Sequence, residues 1–298
     1  MRHLVIFSIL ALTLCTISPS PARGQTTILG ILEEQTGTYA GDSNHRIVRV
    51  VFEKKGDEWQ AFQSDCPDHD CGNAFAITYP NQITWTIAFD GKNLGQVTSG
   101  APEGYTGWRR GQQTIISSGP VPTIGSRTME FMDASVYRPL IANSEPYFKD
   151  PEVWKPYSPV QKLIVLFRQA FRKQFPKLCR ISKTDDSKLE PFPYRDDEIA
   201  VAKGYSSKLG WVVARMHLPA IDCEDVEAGF DIDDPWYAVA PNGSVSYLGS
   251  GLQLVDAGDY DNDGKSELVF AINRDNRGGY VLFWDNFNKR AVFEFGYH

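Results

Sequence analysis

The sequence predicts a mostly β fold built from many short antiparallel strands. Short runs rich in β-branched and aromatic residues recur along the chain, each bounded by Gly, Pro, Asn or Asp. The composition agrees, with 25 Gly, 18 Pro, 7 Trp, 13 Tyr and 17 Phe among 298 residues. One stretch alone carries helical periodicity. Strands at this spacing fit a sandwich or a propeller.

Residues 1–24 read as a signal peptide. Arg2 and His3 form a short basic start, Leu4 to Ile17 is apolar but short for a bilayer span, and Ser18-Pro19-Ser20-Pro21 breaks it before Ala22 and Gly24. Lipoprotein anchoring at Cys15 is disfavoured because Leu14 precedes it where a small residue is expected. Cleavage leaves about 274 residues, 25–298, as one domain. With Arg2 and Arg23 lost, the formal net charge moves from −7 to −9. That balance speaks against nucleic acid as a partner. The expected location is secreted or periplasmic.

Four cysteines remain, Cys66, Cys71, Cys179 and Cys223. An even number in an exported chain reads as two disulfides, and proximity favours Cys66–Cys71 and Cys179–Cys223 among the three connectivities. Cys66-Pro67-Asp68-His69-Asp70-Cys71 also has the residue types of a metal or redox site, but its spacing is unlike that of zinc ligands.

In order, Ile28–Leu32, Arg46–Phe52 and Glu58–Phe62 are strands, with a turn at Lys54–Asp57. Ile83–Phe89 follows, with a turn at Asp90–Asn93, and then Gln113–Ser117. Pro139 to Pro159, rich in proline and aromatics, reads as an ordered surface connection.

The helix is expected at about 158–178. Ser158 is a suitable N-cap, Pro159 fits the first helical position, and Val160, Leu163, Ile164, Phe167, Phe171, Phe175 and Leu178 share one face. Lys162, Arg168, Arg172, Lys173 and Lys177 occupy the other. Packing on a sheet is the favoured role, and contact with an anionic membrane is the alternative.

A weak repeat of strand, turn and strand occupies the C-terminal third. Its members are Asp197–Ala202 with Trp211–Ala214, Pro235–Tyr247 about a type I′-compatible Asn242-Gly243 turn, and Ser266–Ala271 with Tyr280–Phe283. The acidic run Asp222–Asp234 reads as a solvated loop.

The strongest chemical signal is Asp259-Tyr260-Asp261-Asn262-Asp263-Gly264-Lys265-Ser266-Glu267, running into Leu268-Val269-Phe270. Carboxylates on alternate residues, a glycine turn and a closing acid are what a hard cation needs from a tight loop. Asp259, Asp261, Asp263 and Glu267 offer side-chain oxygens, and Lys265 a carbonyl. An EF-hand loop would close with an acid where Phe270 stands. Closure at Glu267, directly before a strand, resembles instead the FG-GAP repeats of integrin alpha-subunit propellers and their bacterial VCBS-type relatives. The resemblance covers about residues 247–290, with Glu267 replacing the usual Asp. It implies a structural Ca²⁺ and a β-propeller-like domain of four or five blades of about 50 residues with one inserted helix. The last strand, Arg290–Phe295, would then complete a blade begun near Ile28.

Beside a small peripheral subunit whose basic helix docks on a membrane or larger assembly, two functional classes follow. One is a secreted, calcium-stabilised module that binds a protein or glycan. The other is an extracytoplasmic hydrolase of glycosidase type using paired carboxylates, with Glu130, Asp133, Asp196, Asp197 and Glu198 as candidates. Neither a Gly-x-Ser-x-Gly elbow nor a His-Glu-x-x-His pair occurs, and His45, His69 and His217 stand isolated.

Overall fold

A computed structural model describes residues 26–35, 45–62, 82–102, 109–129, 134–146, 148–182, 188–223, 234–274 and 277–296. The N-terminal half contains β1 (Ile28–Gln35), β2 (His45–Lys55), β3 (Glu58–Ala61), β4 (Ile83–Phe89), β5 (Lys92–Pro102) and β6 (Gln112–Ile115). The separate hairpin of β7 (Ser126–Met129) and β8 (Ala134–Tyr137) follows, and then β9 (Leu140–Asn143).

Strands β1, β9, β4, β5, β6 and β2 pair in that order, and β2 pairs back to β1, closing a six-stranded antiparallel barrel. Closure removes the exposed edges that an open sheet would carry. Leu32, Val48, Val50, Trp85, Ile87, Val97, Leu140 and Ala142 form one buried cluster of these strands. Val48, the Arg49 carbonyl and Trp85 together leave room only for glycine at position 30. A Cβ on Gly30 would lie 2.8 Å from Val48 and 3.3 Å from the indole. The indole N–H donates to Ser99 Oγ at 2.7 Å, and that hydroxyl donates to Gln113 Oε1 at 2.5 Å. These buried polar groups therefore satisfy one another.

The remaining elements are β10 (Lys155–Pro156), α1 (Gln161–Gln174), β11 (Leu178–Ile181), β12 (Leu189–Pro191), β13 (Ala200–Ser206) and β14 (Val212–His217). They continue with β15 (Ile221–Asp222), β16 (Trp236–Val239), β17 (Val245–Gly249), β18 (Leu252–Gly258), β19 (Glu267–Arg274), β20 (Arg277–Trp284) and β21 (Lys289–Gly296). Strands β10, β13, β14, β16 and β17 form a five-stranded sheet, β12, β11 and β15 a small one, and β18 to β21 a four-stranded meander.

The meander is buried on both faces, which explains the uninterrupted apolar run Leu268–Ile272. Side chains alternate across a strand. Val255, Val269, Leu282 and Phe293 pack against Leu29, Ile31, Val51 and Phe52 of the barrel. Leu254, Leu268, Phe270 and Phe283 pack against Val213, Trp236 and Ala238 of the five-stranded sheet. Phe167 and Phe171 of α1, with Phe175 at its C-cap, join the same cluster as Ala214 and Tyr237 of that sheet, so the layers run barrel, meander, sheet and helix.

Among the described residues the structure has the expected mostly β class with one α-helix. Among the described residues, no ring of blades is seen. Other differences have local causes. The helix spans 161–174, not 158–178. Tyr157 donates its N–H to Gly204 O at 2.9 Å and Pro159 packs on Gly204, so Ser158 stays at the sheet edge and Val160 takes the cap position. Pro176 ends the helix, and Leu178 enters β11. Asn242-Gly243 is no type I′ turn, since that turn needs positive φ at both residues and only Gly243, at +87°, has it. Pro241 precedes them, and a three-residue loop closes between Ala240 and Ser244. Among the described strands, β21 pairs with β20 alone and β1 belongs to the barrel.

Cys179 and Cys223 form the expected disulfide, with 5.1 Å between their Cα atoms. Cys66, Cys71, residues 1–24 and most of the acidic run lie outside the described residues. No helix among the described residues is long and apolar enough to cross a membrane. Two basic side chains of α1 are engaged within the protein, Arg168 with Ile199 O at 3.1 Å and Arg172 in an ion pair with Asp196.

Candidate metal centre

The acidic loop connects β18 to β19. The two strands pair antiparallel as far as Gly258 and Glu267, so the hairpin sets Asp259 and Glu267 side by side where it opens. Both side chains are buried, at 7% and 2% exposure. Asp261 joins them, and one carboxylate oxygen from each of the three lies within 4.8 Å of the others. Oxygens bound to one Ca²⁺ at about 2.3–2.6 Å are separated by at most about 5 Å, so the three oxygens fit a shared ion.

The loop backbone is folded around these groups. Asp263 and Gly264 donate their N–H groups to the two oxygens of Asp259, each at 3.0 Å. Asp263 N–H also reaches Asp261 Oδ1 at 3.1 Å, and Tyr260 N–H donates to Glu267 Oε2 at 2.9 Å. Asn262 and Gly264 take positive φ of 60° and 88°, which Asn and Gly tolerate best. Asp263 stands outside the three-carboxylate group, and its Oδ1 accepts the N–H of Lys265 at 2.8 Å.

Crowding of buried carboxylates has an electrostatic cost. Burial pushes the Asp259 carboxyl up, and repulsion from Asp261 and Asp263 adds to it. Burial pushes Glu267 well above the ordinary range, with Asp261 the largest charged contributor. A cation among them offsets both effects. The protein already places one there, because Lys54 Nζ lies 2.5 Å from Asp261 Oδ2.

The sequence reading missed the groups that reach this loop from elsewhere. Asp259 N–H donates to Lys149 O at 2.8 Å, which brings the next residues alongside. Ser266 Oγ donates to Asp150 Oδ1 at 2.6 Å, and Ser266 N–H reaches Glu152 Oε1 at 3.4 Å. Burial raises the Glu152 carboxyl, and Asp150 and Asp263 push it further. Asp150 also accepts the N–H groups of Glu152, Val153 and Trp154. The Asp150-Pro151 pair, a turn-initiating dipeptide, was the one available signal. Tyr260 anchors the loop from inside, stacking on Phe148 at 5.6 Å while its carbonyl accepts Asn143 Nδ2 at 2.8 Å. A Cβ on Gly258 would sit 2.2 Å from the Phe148 ring, so this approach needs glycine.

Candidates for hydrolysis are placed elsewhere. Asp196, Asp197 and Glu198 form an exposed turn, tied to Arg172 and Arg195 by ion pairs. Glu130 and Asp133 lie outside the described residues. His217 pairs with Asp234 at 2.6 Å, and His45 begins β2.

The described fold and site define a class, a mostly β protein with an acidic hairpin loop suited to a hard cation. No family model, no curated protein and no solved structure matches the chain.

Proposed function

We propose that this chain is an extracytoplasmic, calcium-stabilised binding module of FG-GAP or VCBS type. The observation that carries the proposal is the convergence of Asp259, Asp261 and Glu267 at the mouth of one β-hairpin. Ca²⁺ takes their three oxygens, the Lys265 carbonyl and water, and Asp263 holds the loop in shape through Lys265 N–H. The loop itself ties the barrel side to the meander, since Lys54 reaches Asp261 and Asp150 reaches Ser266. The ion's role is structural, linking loop folding to occupancy.

The stacked sheets support blade-like organisation of the C-terminal part. The meander β18–β21 and the run β13, β14, β16, β17 are both antiparallel and pack face to face, as neighbouring blades do. Export is supported by the Cys179–Cys223 disulfide, which persists in oxidising compartments.

Isothermal titration of the chelator-treated chain with Ca²⁺ tests the reading. One site is expected in the wild type, and Asp259→Asn or Glu267→Gln should abolish it. A wild-type chain that gives no heat of binding contradicts it.

A further inference from the structure

Beside the ion loop lies a cavity of about 780 Å³, within the range of small-molecule sites. Its walls come from six places: Thr26 and Thr27 before β1, the β2–β3 turn, the segment around Trp154, Trp211 between β13 and β14, the ion loop with the start of β19, and the end of β20 with the β20–β21 turn. Two of these walls carry unusual backbone. Asp285, Asn286 and Phe287 take φ of 50°, 56° and 64° in succession, although none is glycine. Val153, between the lining residues Glu152 and Trp154, sits at +55°, a true outlier for a β-branched side chain. Backbone strain of this kind concentrates at ligand clamps.

The chemistry of the wall is mixed. Phe287 is held over an aromatic group, with its ring centroid 5.3 Å from Trp211 and 6.1 Å from Trp154. Trp284 also lines the cavity, is 8% exposed, and its buried indole nitrogen has no hydrogen-bond partner in the protein. Around the rings stand carboxylates, among them Glu152, Asp57 and Asp285. Of the four lining lysines, three are ion-paired, Lys54 with Asp261, Lys55 with Glu53 and Lys289 with Glu58, and Lys265 is the fourth.

Resting on the binding-module reading, we propose that this cavity is a saccharide-binding site. A phosphate-rich ligand would meet six carboxylates against four lysines, three of which are already ion-paired. An apolar ligand would leave those carboxylates desolvated and without partners. A neutral polyhydroxylated chain satisfies both parts of the wall, its hydroxyls donating to Glu152, Asp57 and Asp285. The C–H face of a pyranose ring lies on Trp211 and Phe287.

The test uses the full mature chain in Ca²⁺, titrated with cello-, xylo-, manno-, malto- and chito-oligosaccharides while tryptophan fluorescence and heat are followed. At least one series should give a saturable response, weakened about tenfold or more by Trp211→Ala and less by Trp211→Phe. Asp285→Asn, which keeps a residue tolerant of positive φ, should also weaken it if Trp211→Ala does not fold. No saturable response to any series at millimolar concentration overturns the proposal, as does a response that both variants leave unchanged. Melting with and without Ca²⁺ separates the two claims. Calcium stabilisation without saccharide binding removes the cavity proposal alone. Saccharide binding without calcium stabilisation removes the calcium reading alone.

Discussion

Lys54, near the end of a barrel strand, places its ammonium 2.5 Å from Asp261 Oδ2, a loop carboxylate 207 residues further along the chain. The pair is mostly shielded, with side-chain exposures of 15% and 5%. It also stacks the cation 5.5 Å from the centroid of Trp59. Lys54 is therefore a tethered cation on Asp261, and any ion taken up by the loop would have to compete with it.

Lys54→Met should separate the two roles. Without Ca²⁺ the variant loses a partly buried charged hydrogen bond, at a cost of about 1.5–3 kcal/mol. With the competitor gone, Ca²⁺ should bind about 3- to 10-fold more tightly. Calorimetric titration and a chelated melt check both arms, and weaker Ca²⁺ binding by the variant would count against the competition.

Asp256 gives a pH dependence. Burial pushes its carboxyl up to about 7 from 3.8, with Asp150 adding a little, while N–H groups of Asp90 and Ala257 and the charge of Arg138 oppose the shift. The folded value lies above the unfolded one, so the folded chain holds a proton that the unfolded chain has already lost. The contribution of Asp256 is full below about pH 4 and is lost as pH rises through about 7. Asp256→Asn keeps an acceptor for Asp90 N–H, now at 3.0 Å from Oδ1, and cannot ionise. Denaturant melts should show the variant more stable by about 2–4 kcal/mol near pH 8, and close to wild type near pH 4. Parallel pH curves would refute this.

Val153 is a site of relievable strain. At φ +55° and 51% exposed, it contributes little burial to set against an unfavourable backbone. Its N–H bond to Asp150 is independent of the side chain. Val153→Gly should stabilise the protein by about 1 kcal/mol, read as a raised urea midpoint with an unchanged slope. A lowered midpoint would show that the side chain matters more than the backbone.

Much of this structure was readable locally. Ile28–Leu32, Arg46–Phe52, Ile83–Phe89 and the strands flanking the ion loop declare themselves through β-branched residues and turn signals, and each is a strand. The loop declared itself through its carboxylate spacing. Barrel closure did not, because the pairing of Leu29 with Asn143 joins residues that no short-range pattern connects. Lys54, Asp150 and Glu152 were missed at the site for the same reason: their relation to the loop exists only after the barrel and meander have packed. The helix start was misjudged because tertiary pairing of Tyr157 with Gly204 outweighed a good local capping sequence.

Thermal melting of the chain in Ca²⁺ and in chelator, with Asp259→Asn alongside, tests the central claim most directly. At about 100 times the dissociation constant, a bound ion stabilises by about 2.7 kcal/mol. That predicts a wild-type melting temperature about 5 °C or more higher in Ca²⁺ than in chelator, and a variant indifferent to either. Wild-type curves that superimpose in the two conditions would contradict a calcium-stabilised loop.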